Sequence, residues 1–215
     1  MQANFIDGTT LYRQHSFELP LDYQAKDGQQ IQVFARELVD LAKDAQELPW
    51  LIYFQGGPGF PSPRVSGQSG WLKRALQNYR VLLLDQRGTG NSTVISHETL
   101  APLSPEQQVE YLTHFRADNI VRDAEAIREK FGIKQWSTIG QSFGGFCTLS
   151  YLSLFPQSLQ RCYVTGGFPQ LSVVRTMFIV PRISVSKRRI ERFLLSFHKR
   201  KRCVARSLIT CLIMM

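Results

Sequence analysis

The chain has 215 residues, 43% of them hydrophobic, enough for one domain with a real core. No stretch approaches the roughly 20 apolar residues of a membrane-spanning helix, and Met1 to Thr10 lack the basic flank and apolar centre of a signal peptide. The net charge of +9 does not describe a basic molecule: residues 1–171 hold 15 Lys and Arg against 16 Asp and Glu, whereas residues 172–215 hold 11 against one acid, Glu191. Composition therefore changes after Leu171.

Ser16 to Tyr23 and Ile31 to Leu38 roughly alternate apolar and polar side chains, predicting two half-exposed strands joined by a turn at Lys26-Asp27-Gly28. Trp50-Leu51-Ile52-Tyr53-Phe54 is a nearly continuous apolar run, as for a strand buried on both faces, and leads into the glycine-rich Gln55-Gly56-Gly57-Pro58-Gly59. A short helix is expected around Trp71 to Gln77. A second buried strand, Arg80 to Leu84, ends in the loop Asp85-Gln86-Arg87-Gly88-Thr89-Gly90-Asn91-Ser92. Ser104-Pro105-Glu106-Gln107 reads as a helix start, with a serine cap, proline at the first position and glutamine three residues on. Ile120, Ala124, Ile127 and Phe131 fall at helical spacing, closed by Gly132. Trp136 to Ile139 then predicts a buried strand, Phe143 to Phe155 a helix, and Cys162 to Thr165 a further strand. Strands alternating with helices imply an α/β architecture with a mostly parallel, doubly wound sheet.

Between the strand at Trp136 and the helix at Phe143 stands Gly140-Gln141-Ser142-Phe143-Gly144. Gly-x-Ser-x-Gly in that setting is the sharp turn that exposes a nucleophilic serine in an α/β-hydrolase. Acyl transfer needs such a nucleophile, donors for the developing oxyanion, a base and a carboxylate to orient the base. In this fold the donors are the N–H after the nucleophile, here Phe143, and one from the Gln55 to Gly59 loop.

Gly56-Gly57-Pro58-Gly59, Asp85 to Ser92 and Gly140 to Gly145 occur in the order and spacing of prolyl aminopeptidases, also called proline iminopeptidases, and the chain resembles that family. The likeness extends to Gly70-Trp71-Leu72-Lys73-Arg74-Ala75-Leu76, Phe115-Arg116-Ala117-Asp118 and Arg122 to Arg128, and covers roughly residues 15–171, in the manner of the family's larger, two-domain form. The resemblance implies a serine aminopeptidase that releases N-terminal proline from peptides without metal or organic cofactor. It makes Ser142 the nucleophile, with the backbone N–H groups of Phe143 and Gly57 as oxyanion donors. The Asp85 loop would support the floor of the site.

In the family the catalytic acid, the histidine and an acidic helical cap that holds the substrate amine all come later, and nothing after Leu171 matches them. Of the four histidines, His15, His97, His114 and His198, none resembles the family's base. His97 reads as a solvent-exposed loop residue and His114 as a helix-surface residue. The chain as written is thus expected to be inactive or nearly so. An esterase or another peptidase on the same fold, and a non-catalytic protein binding through its basic tail, are the alternatives.

Residues 172–215 allow three readings: a functional basic tail around His198-Lys199-Arg200-Lys201-Arg202, a disordered end, or a frameshift product. The third is favoured. An overlapping frame, one nucleotide upstream of possible codons for Val174 to Ser186, can encode a sequence like the opening of the family's cap. No nucleic-acid or membrane partner is expected on that reading. Cys147, Cys162, Cys203 and Cys211 have no metal-ligand spacing and read as unpaired thiols of a cytoplasmic protein.

Overall fold

Two long strands begin the sheet because each carries apolar side chains wherever it faces inward. β2 (Thr10–Pro20) and β3 (Gln30–Asp40) pair antiparallel from Thr10↔Asp40 to Pro20↔Gln30, and β1 (Asn4–Asp7) adds to the outer edge of β2. The computed structural model describes residues 4–25, 27–64 and 70–166, with the backbone of 178–180, all within the unit formed by residues 1–180. The rest of the 172–215 segment, including His198, Cys203, Cys211 and the basic cluster, lies outside the described residues, as does Lys26 in the hairpin turn.

β3 departs from the expected half-exposed strand: Val33 to Val39 are all buried. The reason is its position. It is an interior strand, antiparallel to β5 (Arg80–Asp85) on the side away from β2. The parallel centre follows, in the order β5, β4 (Trp50–Phe54), β6 (Trp136–Gln141) and β7 (Leu159–Thr165), with β8 (Phe178–Val180) antiparallel on β7. The apolar runs predicted for burial on both faces are the strands at the centre.

Five α-helices are described: α1 (Gly70–Ala75), α2 (His97–Leu100), α3 (Pro105–Thr113), α4 (Ala117–Lys130) and α5 (Phe143–Leu154). α2 and β1 carry no periodicity that would announce them in the sequence. The start of α3 is the predicted capping box, in which Ser104 Oγ accepts from Gln107 N and the Gln107 side chain accepts from Ser104 N.

The sheet has a core on each face, as a doubly wound fold requires. On one side Ile120, Ala124 and Ile127 of α4 and Cys147 and Tyr151 of α5 pack on Ile52, Phe54, Leu82, Leu84 and Trp136. On the other, Leu72, Ala75 and Leu76, in and just after α1, pack on Leu38, Leu51, Tyr53, Val81 and Leu83. Cys147 and Cys162 are buried, unpaired thiols, and burial pushes both their pKa values up. Among the described residues, no helix is long and apolar enough to cross a membrane.

Candidate active site

The neighbouring parallel strands β4 and β6 run in register, Phe54 opposite Gly140, so the segments leaving their C-terminal ends meet. From β6 the chain turns at once into α5, and the turn residue is Ser142, with φ 53° and ψ −116°. It is the only non-glycine residue with positive φ among those described. A conformation this sparsely populated costs about 1–3 kcal/mol and persists only where its surroundings hold it. Here the Ser142 N–H donates to the carbonyls of Thr165 (2.9 Å) and Gly166 (2.8 Å), and its carbonyl accepts from Gly145 N (2.9 Å) and Phe146 N (3.3 Å).

The flanking glycines are fixed by contact. A Cβ on Gly140 would sit 2.0 Å from the Gly144 carbonyl oxygen, and one on Gly144 would sit 2.0 Å from that of Phe54. The turn is therefore packed against β4 with no room for a methyl group. The Ser142 side chain, by contrast, is exposed and makes no cap bond to α5.

The glycine-rich loop leaving β4 lies directly against this turn: a Cβ on Gly56 would be 3.2 Å from Ser142 Cβ and 3.0 Å from the Gln141 carbonyl oxygen. Gly57 follows with φ +127°. Of the residues singled out in the sequence, Ser142 stands at the apex of the turn and Phe143 at the first position of α5, while Gly57 is one residue beyond Gly56, the glycine in contact with the turn, and its own surroundings are Gly59 and Phe60. No described residue accepts a hydrogen bond from the N–H of Gly57 or Phe143, the latter being an open donor of a helix N-terminus.

The loop after β5 braces this arrangement from the side. Gln86 Nε2 donates to the Gln55 carbonyl at 3.1 Å, just before Gly56. Asp85, fully buried, accepts from Ser62 N (2.9 Å), Ser62 Oγ (2.6 Å), Asn91 N (2.9 Å) and both Nη atoms of Arg64 (3.0 and 2.5 Å). Burial alone would raise its pKa, but these donors hold it below the ordinary carboxylate value. Arg87, also fully buried, closes on Asp123 at 2.7 and 2.5 Å, and Asp123 accepts from Tyr23 Oη at 2.8 Å. The contact from the Asp85 to Ser92 segment to the glycine-rich loop is the Gln86 bond to Gln55, while its charged residues are tied to Ser62, Arg64 and Asp123.

Two contributors are not singled out by the sequence. Tyr53 Oη donates to Gln55 Oε1 (2.6 Å) and lies 3.3 Å from Gln141 Oε1, beneath both segments. Gln86 stands there only as one letter of a motif. The available signal for Tyr53 is a phenol hydroxyl inside an otherwise apolar strand, two residues before Gln55 and hence on the same face.

The histidines are dispersed. His15 is buried on β2 with Nε2 2.7 Å from Glu37 Oε2, His97 is exposed at the first turn of α2 rather than in a loop, and His114 ends α3. None is hydrogen-bonded to Ser142 among the described residues.

A model of the alpha/beta hydrolase fold family matches residues 49–187. The proline iminopeptidase of Aeromonas sobria is 60% identical over 155 residues, covering 71% of this chain and 36% of the relative. A proline iminopeptidase of Aspergillus aculeatus is 42% identical over 185 residues, covering 81% and 41%. The chain thus spans well under half the length of either relative. Among solved structures, the proline iminopeptidase-related protein of Thermus thermophilus aligns with a TM-score of 0.45 and 22% identity, over 71% of this chain and 44% of that one. The chain belongs to the alpha/beta hydrolase fold family, and within it is similar to proline iminopeptidases.

Proposed function

We propose that Ser142 is the nucleophile of a serine peptidase site that acts on peptides with an N-terminal proline. Its Oγ, giving up its proton to a base, bonds to the carbonyl carbon of that proline, and the carbonyl π electrons pass to oxygen, where the N–H groups of Gly57 and Phe143 donate hydrogen bonds to the resulting oxyanion. Collapse of this tetrahedral species breaks the peptide bond and expels the amine of the next residue with a proton. Water then releases proline from Ser142. Each oxyanion donor contributes about 2.7–4 kcal/mol to the barrier reduction. The observation that carries the reading is the strained, exposed Ser142 turn, with the Gly56 segment in contact with it. The proline preference is supported by the similarity to proline iminopeptidases.

The serine proton needs an acceptor, and no described histidine is bonded to Ser142. Loss of the base alone costs about 10⁶ in turnover, so the 215 residues by themselves are expected to hydrolyse prolyl arylamides at a negligible rate. Activated esters bypass part of that requirement. The p-nitrophenyl ester of proline should acylate the purified chain once, at Ser142, as read by peptide mass spectrometry, and Ser142→Ala should remove the adduct. Acylation elsewhere would sink the nucleophile assignment. The substrate assignment is tested separately on an intact homologue, where equal rates with prolyl and alanyl arylamides would sink it alone. Sequencing the coding DNA across codons 165–215 tests the frameshift reading of the tail, which requires a single-base insertion or deletion near codon 172.

A further inference from the structure

Arg36, on β3, is 8% exposed, its Nε is buried without a hydrogen-bond partner, and no carboxylate forms an ion pair with it among the described residues. A guanidinium keeps its charge when removed from water and presents its donors in a fixed fork, so a buried one calls for acceptors. Its surroundings add charge of the same sign. Arg36 and Arg64 each have the guanidinium carbon 5.8 Å from the centroid of the Phe34 ring.

The neighbouring acids are already used. Asp85 is saturated by Arg64, Ser62 and Asn91, so one cation of the pair is left over. Glu37 follows Arg36 on β3 and so faces the opposite side of the sheet, where Arg13, His15 and Arg80 engage it. Burial, and then Arg64, lower the pKa of Arg36, while Asp85 and Tyr12 oppose them, which is the pattern of a cation short of countercharge. The segment from Val65 to Ser69 contains no acid to supply it. The Arg64 side chain is 39% exposed, so the pair opens to solvent on that side.

We propose that Arg36 and Arg64, over the ring of Phe34, bind a small oxyanion, a carboxylate or a phosphate group. Planar and tetrahedral oxyanions match the guanidinium fork and supply the missing charge. The site is distinct from Ser142: β5 and β4 lie between β3 and β6, a lateral separation of about 14 Å at the usual strand spacing. An anion there would also fasten Arg64, and with it the downstream end of the segment that begins at Gly56.

The test is thermal unfolding of the full 215-residue chain in inorganic phosphate against chloride at matched ionic strength. Saturating phosphate should raise Tm by about 3–8 °C. Arg36→Gln should abolish the rise. Should that variant fail to fold, Arg64→Gln, at the more exposed position, should at least halve it. A short peptide with a free C-terminal carboxylate, compared with its amide, separates a peptide end from a free inorganic anion as the source. The proposal is overturned if neither phosphate nor the peptide acid raises Tm, or if the rise is undiminished in both variants. A wild-type chain with no cooperative transition in phosphate overturns it equally.

Discussion

At the scale of single residues, the site rests on contacts that admit no added atom. Gly144→Ala would drive a methyl group into the Phe54 carbonyl, and Gly140→Ala would drive one into the Gly144 carbonyl, each at 2.0 Å. Backbone atoms cannot step aside as a flexible side chain can, so each substitution should cost about 3 kcal/mol or more. Gly132 provides the control, since it has φ +66° but nothing within 4 Å of an added Cβ. Its alanine variant should lose only about 1–2 kcal/mol. Urea unfolding of the three variants measures the contrast, and equal losses would mean that the contacts at Gly140 and Gly144 relax at little cost. These glycines are legible in the sequence because the motif records a local requirement. The contacts of Tyr53 with Gln141 and of Gln86 with Gln55 are not, because they cross between strand ends and no spacing along the chain records which strand lies alongside.

At the scale of elements, α4 and α5 are joined by polar contacts beneath an apolar interface. Glu125, on α4, accepts from Arg128 Nη2 (2.6 Å), Tyr151 Oη (2.7 Å) and Ser158 Oγ (2.8 Å), and the Tyr151 oxygen in turn accepts from Trp136 Nε1 (3.0 Å). Tyr151→Phe keeps the packing but strands the Trp136 donor and removes one bond to Glu125. It should cost about 1–3 kcal/mol by urea unfolding, and a loss below about 0.5 kcal/mol would show that water replaces the hydroxyl there. The existence of α3 is readable from its cap and that of α4 from its period. The extent of β2, which starts at Thr10 rather than Ser16, is not, since its first residues alternate poorly and are held by pairing with β1 and β3. The burial of β3 escapes for the same reason: alternation reports the side-chain pattern, whereas burial depends on what packs on each face.

For the whole molecule, ion pairs shared between distant segments tie stability to pH. Asp44 is held at about 2, chiefly by its bonds to Arg13, with Arg80 adding to the effect. Burial alone would raise Glu37, Asp85 and Glu125, but their arginine and hydroxyl or imidazole partners bring all three below the ordinary carboxylate value. A carboxylate whose pKa is lower in the folded state gives stability that is complete above its unfolded pKa and is lost as protons bind the unfolded chain more tightly. The free energy of unfolding should therefore hold between about pH 7 and 5 and fall from about pH 5 towards pH 2. Arg80→Met, which removes one partner from both Glu37 and Asp44, should flatten that fall while lowering stability at neutral pH. An unchanged slope in urea titrations at about pH 7, 5 and 3 would refute the assignment.

The order of strands also dictates a timetable for synthesis. β4 is made before β5 and β6 yet lies between them, so its central place in the sheet is not flanked on both sides until residue 141 has left the ribosome. The hairpin of β2 and β3 can close as it emerges, using partners near in sequence. The parallel centre instead waits on pairings separated by long stretches of chain, which close slowly because loop entropy is spent before any contact offsets it. During that interval the apolar strand from Trp50 to Phe54 stands with at least one edge open. A nascent chain of this fold therefore depends on protection of one short segment, the same segment whose far end later carries the loop beside Ser142.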